Sequence, residues 1–301
     1  MNTQRPPTID PIAAARWARQ VPQASAWLHE EVARRMEDRL GWIVRQPASW
    51  LHWEPLSGGR RIHAALRKRY AQSRCFVHEP LPAHRAAAQE ALGLPWWKPG
   101  RWLSSAAQEQ FGLPDAPVDM VWANMALHMH ADPQDLIRQW HQHLAVDGFL
   151  MFSCLGPDTV RELRGLYAEA GWPPCGHDLT DMHDWGDMLV HAGFAEPVMD
   201  MERITLTFGS PETLLAELRG LGRNLHRQRF PGLRGRQWHG QLQEQIARKL
   251  GASDQPGRLQ LTFEIVYGHA FKPTPRLAVS AQSSISLQDM RAALSAGRKS
   301  T

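Results

Sequence analysis

The feature that most narrows the fold is a repeated change of hydrophobic period through the middle of the chain. Short uninterrupted apolar runs alternate with stretches of roughly 10–15 residues whose apolar positions recur at helical spacing. Ser49–Trp53 (SWLHW), Arg74–His78 (RCFVH), Val118–Asn124 (VDMVWAN) and Phe149–Cys154 (FLMFSC) read as strands. Arg60–Tyr70, Pro82–Leu92 and Pro133–Leu144 read as helices between them, the last with Asp132 as N-cap ahead of a proline suited to the first turn. A strand covered on both faces needs such a continuous run, and parallel neighbours need helical crossovers. The pattern predicts a doubly wound α/β sheet with helices on both faces.

The second half keeps the alternation with longer insertions, at about 156–180 and 209–257. Thr159 and Glu162 read as a capping box for a helix through Ala170, and Asp181–Ala192 as an amphipathic helix ended by Gly193. Val198–Phe208 reads as a strand, Ser210-Pro211-Glu212 opens a helix to Leu221, and Leu259–Tyr267 is the last strand. Residues 1–45 read as an N-terminal arm, loose over its first fifteen residues, followed by an amphipathic helix from Ser25 to Trp42. Residues 46–274 form the main domain, and 275–301 a flexible tail with a short helix around Leu287–Leu294.

Composition removes several classes of function. Lys+Arg 34 against Asp+Glu 30 gives a net charge of +4, too mild to imply nucleic acid. No apolar stretch approaches the ~20 residues that cross a bilayer. Met1–Pro11 is polar and proline-containing where a signal peptide needs an apolar segment. Cys75, Cys154 and Cys175 are an odd, unpaired set, which fits a reducing cytoplasm better than a disulfide framework. Among the 15 histidines, the pairs His128/His130 and His141/His143 invite a metal, but no cysteine or carboxylate completes a ligand set, so no metal is expected. No G-x-S-x-G elbow is present, and Asp181-Met182-His183-Asp184 reads as the acidic start of a helix.

Open α/β sheets bind ligands beyond the carboxyl ends of their strands, near the point where strand order reverses. Three turns qualify: Glu54–Gly59, Glu79–Pro82 and Asn124–His130. Gly58 and Gly59 are the glycines of the first turn, and they suit a plain strand-to-helix bend as well as a ligand loop. Glu79 stands just past the second strand, where a carboxylate can accept hydrogen bonds from both hydroxyls of a ribose or simply face water. Arg219–Gln243 carries Arg219, Arg223, Arg227, Arg229, Arg234 and Arg236 without one acidic residue, a composition suited to an anionic partner.

Val121-Trp-Ala-Asn-Met-Ala-Leu-His128, Leu150-Met-Phe-Ser-Cys-Leu-Gly-Pro-Asp-Thr-Val-Arg-Glu-Leu-Arg164 and Asp181-Met-His-Asp-Trp-Gly-Asp-Met-Leu-Val-His-Ala-Gly-Phe194 resemble the malonyl-acyl-carrier-protein O-methyltransferases of biotin synthesis. The likeness continues through Pro197–Glu202 and Leu261–Ala270 and covers roughly Asp115 to Pro273. It implies a class I methyltransferase sheet of seven strands, mostly parallel, with Leu259–Tyr267 entering antiparallel. It also implies S-adenosyl-L-methionine as cofactor, the free carboxylate of a malonyl thioester as acceptor, and an acyl carrier protein as partner. The expected cofactor set is Glu54, Gly58, Gly59, Glu79 and Asn124, with Glu79 on the ribose. Arg223 and Arg227 are expected to orient the acceptor carboxylate. No general base is needed, since a carboxylate of pKa near ~4 is already ionised at neutral pH.

The first turn departs from the family's D-x-G-x-G-x-G. Aligned on Gly59, the chain has Trp53, Pro55 and Ser57 at the other three positions, and Glu54 supplies the charge if the turn is rebuilt. The aspartate that often meets the adenine edge has no clear counterpart between Lys98 and Phe111. A second reading therefore stands beside the first: a methyltransferase-like binding protein that has lost the cofactor and docks an acidic partner.

Overall fold

A computed structural model describes residues 9–93 and 109–275. Seven strands form one sheet in the order β3-β2-β1-β4-β5-β7-β6. They are β1 (Ser49–Trp53), β2 (Arg74–His78), β3 (Glu109–Phe111), β4 (Val118–Ala123), β5 (Leu144–Leu155), β6 (Ala195–Phe208) and β7 (Leu259–Phe271). β1 to β5 pair in parallel, and β7 runs antiparallel between β5 and β6. Strand order reverses between β1 and β4, so the turns after Trp53 and Ala123 open onto the same crevice.

Side chains alternate across the pleat into two apolar layers. On one face Trp50, Met120, Trp122 and Phe149 pack with Leu28, Val32 and Met36 of α2 (Trp27–Arg39) and with Ile62 and Leu66 of α4 (Arg60–Arg69). Leu163 and Leu166 of α7 (Arg161–Glu169), Leu214 of α9 (Pro211–Leu221), and Leu242 and Ile246 of α10 (Arg236–Lys249) extend that layer. On the other face Leu51, Trp53, Val121 and Phe152 meet Leu136, Ile137 and Trp140 of α6 (Pro133–His143) and Trp185 and Leu189 of α8 (Met182–His191). Trp50, Trp122, Trp140 and Trp185 are fully buried, which explains part of the chain's unusual tryptophan content. The remaining helices are α1 (Pro11–Ala18), the single turn α3 (Pro55–Gly58) and α5 (Pro82–Leu92).

Several expectations need correction. The stretch read as loose from residue 11 is helical, because the Asp10 carboxylate caps the first turn by accepting from the Ile12 amide at 2.9 Å. Thr159 and Glu162 form no capping box. Val160, in the left-handed region at φ 51°, takes the cap position, and Thr159 Oγ1 donates to the Glu264 carbonyl at 3.1 Å. Glu162 instead accepts from the Thr262 amide and hydroxyl at 3.1 and 2.5 Å, fastening α7 to β7. β5 begins earlier than the run from Phe149, and Asp147 inside it takes φ 60° where the register with β4 shifts. β3 and α10 were not read from the sequence at all. Trp96-Trp97 and the tail, with the helix expected around Leu287–Leu294, lie outside the described residues.

Candidate active site

The turn after β1 dispenses with the family's glycines by a different backbone route. Glu54 takes the left-handed conformation (φ 49°), uncommon for a residue with a Cβ. It is held there by its N–H donating to the His78 carbonyl at 2.8 Å and by Trp53 Nε1 donating to its carboxylate at 3.1 Å. Pro55 follows at the first helical position, where a missing N–H costs nothing. One helical turn closes through Gly58 N–H to the Glu54 carbonyl (3.0 Å) and Gly59 N–H to the Pro55 carbonyl (2.9 Å). Gly59, at φ 146°, then passes the chain into α4.

The two glycines have separate reasons. A Cβ on Gly58 would stand 2.5 Å from the Asn124 carbonyl oxygen, so this position admits glycine because β4 approaches so closely. Asn124 reciprocates: its amide donates to the Gly58 carbonyl and, at 2.9 Å, to the His29 carbonyl, while its oxygen accepts from Ser153 Oγ at 2.6 Å. Its side chain is thereby spent on clamping the turn between β4, β5 and α2. α2 closes the turn from above, His29 Nδ1 donating to the Ser57 carbonyl at 2.8 Å and Glu30 accepting from the Arg60 amide at 2.8 Å.

Glu79 lies beside this turn and is 2% exposed. One carboxylate oxygen accepts from the Leu56 amide at 2.9 Å, and the other is 3.6 Å from His84 Nδ1. Burial pushes its carboxyl up to about 8, with the neighbouring Glu54 carboxylate adding to the rise and the Leu56 amide opposing it. Burial likewise raises Glu54. The switch point thus holds two neighbouring carboxyls that resist ionisation.

The chain leaving Asn124 leads to a second cavity. His128 is buried with both ring nitrogens lacking a partner among the described residues, and its ring meets that of His29 edge-on at 6.5 Å between centroids. Its carbonyl accepts from His177 Nε2 at 2.9 Å. Burial keeps all three of these imidazoles below their ordinary value, so they stay neutral near pH 7. His128 and His177 border an open cleft with about 1020 Å³ of empty volume. Leu155, Leu163, Leu215, Leu218 and Phe263 give it an apolar wall, Arg164, Arg219 and Arg223 supply positive charge, and no acidic side chain lines it.

Of the residues expected from sequence, Glu54, Gly58, Gly59, Glu79 and Asn124 come together at the switch point. The two arginines separate. Arg223 lies at the cleft, its guanidinium donating to the Arg219 and Gly222 carbonyls at 2.6 and 2.9 Å and lying 5.1 Å from the centre of the Trp17 ring. Arg227 does not line the cleft; it reaches the Ile9 carbonyl at 3.3 Å and ties down the N-terminal segment. Sequence reading missed His128, His177, Arg164 and Arg219 as lining residues, since nothing local marks a cleft made from five separate segments.

His63, Cys75 and Glu109 place one possible ligand atom each within 4.8 Å of one another. Their charge is met without a metal: His63 Nε2 is 2.6 Å from Glu109, Arg67 is 3.9 Å from the same oxygen, and burial raises the Cys75 thiol. Among the described residues no helix is long and apolar enough to cross a membrane.

Residues 55–152 match the methyltransferase domain family. The malonyl-[acyl-carrier protein] O-methyltransferase of Laribacter hongkongensis is 37% identical over 260 residues, covering 84% of this chain and 85% of its own. That of Gallionella capsiferriformans is 36% identical over 266 residues, covering 84% and 87%. The chain belongs to the malonyl-[acyl-carrier protein] O-methyltransferase family. A Bacillus halodurans protein solved as a candidate methyltransferase shares the fold at TM-score 0.52 and 15% identity, over 81% of this chain and 100% of its own.

Proposed function

We propose that this chain is an S-adenosylmethionine-dependent methyltransferase that esterifies the free carboxylate of a malonyl group held as a thioester on an acyl carrier protein, in biotin precursor synthesis. The observation that carries the reading is Glu79, a carboxyl buried just past the end of β2, where it accepts from the Leu56 amide of the switch-point turn. Desolvating a carboxyl without a ligand is costly, and a binding-only scaffold would leave that cost without a purpose.

The cofactor fits these residues. Glu79 would hold the ribose hydroxyls, with the Glu54 carboxyl as its neighbour, while Gly58 lets the turn pack directly on Asn124. When bound, the cofactor supplies an electrophilic methyl group on a sulfonium. The protein's own work is alignment and exclusion of water. Arg219 and Arg223 attract the acceptor carboxylate to the cleft, while its leucine wall excludes water from the reacting end. The neutral imidazoles of His128 and His177 add no further positive charge beside the carboxylate, which would blunt its nucleophilicity. The buried thiols Cys75 and Cys154 suit the cytoplasm, where we place the reaction.

Expression of this chain in a biotin auxotroph lacking its own malonyl methyltransferase tests the proposal. Growth without biotin is the expected result, and growth restored only when biotin is added rejects it.

A further inference from the structure

The arginine-rich segment between α9 and α10 has a physical organisation that the cleft does not require. From Arg219 to Gln243 there is no aspartate or glutamate. Among the described residues Arg229 is the one arginine of this stretch in an ion pair, with Asp10 at 2.8 Å, and Gln243 at its end donates to Glu212 at 2.7 Å. The guanidinium of Arg234 lies 4.0 Å from the centre of the Trp238 ring and 4.5 Å from that of Phe230. Trp238 packs on Trp172 at 5.4 Å, and Trp172 on Tyr167 at 5.2 Å between centroids. Tyr167 lines the acceptor cleft, so the basic loop is fixed through an aromatic pile to the cleft wall. At the loop's tip Leu233 is 101% exposed, and Phe230 beside it is 43% exposed. α10 starts on Gly235 with no side-chain cap, and its first turn holds Arg236 and no acid, so the positive end of the helix adds to the arginines.

We propose that loop 230–235 and the first turn of α10 are the docking face for the acidic carrier protein, with Leu233 as its apolar anchor and Arg227 and Arg236 as its steering charges. This rests on the function proposed above. An unneutralised cationic field calls for an acidic partner, and a leucine standing wholly in water calls for an apolar ridge to cover it. Nucleic acid fits less well, because Trp172 and Trp238 are spent on Arg234 and offer no free face to a base. A membrane surface fits less well, because α10 turns its apolar residues Leu242 and Ile246 into the core.

The test compares malonyl carrier protein with malonyl-pantetheine, which has the same thioester and no protein. Leu233→Glu alters a side chain that touches only solvent, and Arg236→Glu places an acid where a helix start favours one, so both variants should fold. Each is expected to raise KM for the carrier-bound acceptor about tenfold, equivalent to about 1.4 kcal/mol, with kcat and KM for malonyl-pantetheine unchanged. Equal effects on the two acceptors, or none on either, overturn the docking face. Tighter binding to anionic vesicles or RNA than to carrier protein overturns it as well. If the wild type methylates neither acceptor, the function proposal fails, and calorimetry with malonyl-free carrier protein decides docking alone. Binding lost in Leu233→Glu then supports the face, and no binding overturns it.

Discussion

Replacing Glu79 by Gln is the most informative single change at the crevice. The amide oxygen can still accept from the Leu56 N–H, so the turn keeps its support while the titration disappears. In the wild type the folded carboxyl loses its proton near 8, against an ordinary value of 4.5. Between those values the folded protein holds a proton that the unfolded chain has released, so stability falls as pH rises. At about 1.4 kcal/mol for each tenfold change in proton affinity, the fall reaches at most about 5 kcal/mol by about pH 9. Burial is the main cause of the rise, the Leu56 amide and Arg60 oppose it and Glu54 adds to it, with His84 also facing the carboxyl, so Glu54→Gln is the matching control. Thermal unfolding at pH 5.5, 7 and 8.5 should show Glu79→Gln gaining on the wild type as pH increases.

Binding should move in the opposite direction. Only the ionised carboxylate accepts from both ribose hydroxyls. With about a tenth of Glu79 ionised at pH 7, the wild type's affinity for S-adenosylhomocysteine should lie roughly tenfold below its plateau above pH 9. Glu79→Gln should bind weakly with little pH dependence. Calorimetry in two buffers of different ionisation heat would also register the proton released on binding. An affinity that is flat from pH 6.5 to 9, and equal in the variant, would refute the assignment of Glu79 to the ribose.

Other changes separate the parts of the site. Gly58→Ala forces a Cβ to 2.5 Å from the Asn124 carbonyl and should cost about 1–3 kcal/mol of stability, with loss of S-adenosylhomocysteine binding; an unperturbed melting curve would show that the turn can shift freely. Asn124→Ala leaves the buried Gly58 and His29 carbonyls without their donor and should cost about 1–3 kcal/mol, read from urea unfolding. Arg223→Ala should raise KM for malonyl-pantetheine severalfold, whereas Arg227→Ala should not, since only Arg223 borders the cleft; equal effects would contradict that division.

The legible and illegible parts of this chain differ for physical reasons. β1 and β2 could be read at their true bounds because burial on both faces leaves dense apolar runs such as Cys75–Val77 and Trp50–Trp53, the latter broken only by the buried His52. β3 could not, because a three-residue edge strand of Glu, Gln and Phe has neither length nor period. α10 was obscured by its charges: Leu242, Ile246 and Leu250 keep helical spacing, but arginine and glutamine crowd the intervening positions. The turn after β1 was located correctly as an odd bend, yet its solution depends on a hydrogen bond to the His78 carbonyl and one from the Asn124 amide, neighbours in space but distant along the chain. Local sequence names the strand ends, so Glu79 and Asn124 could be picked out. The cleft needs α7, α9 and two loops brought together, and only tertiary packing does that.

The direct test of the central claim is mass spectrometry of malonyl carrier protein incubated with this protein and methyl-deuterated S-adenosylmethionine. The carrier-bound malonyl group should gain one labelled methyl as an ester, and none when the carrier bears an acetyl group instead. An unlabelled malonyl group, with the protein folded and the donor intact, would contradict methyl transfer at this switch point.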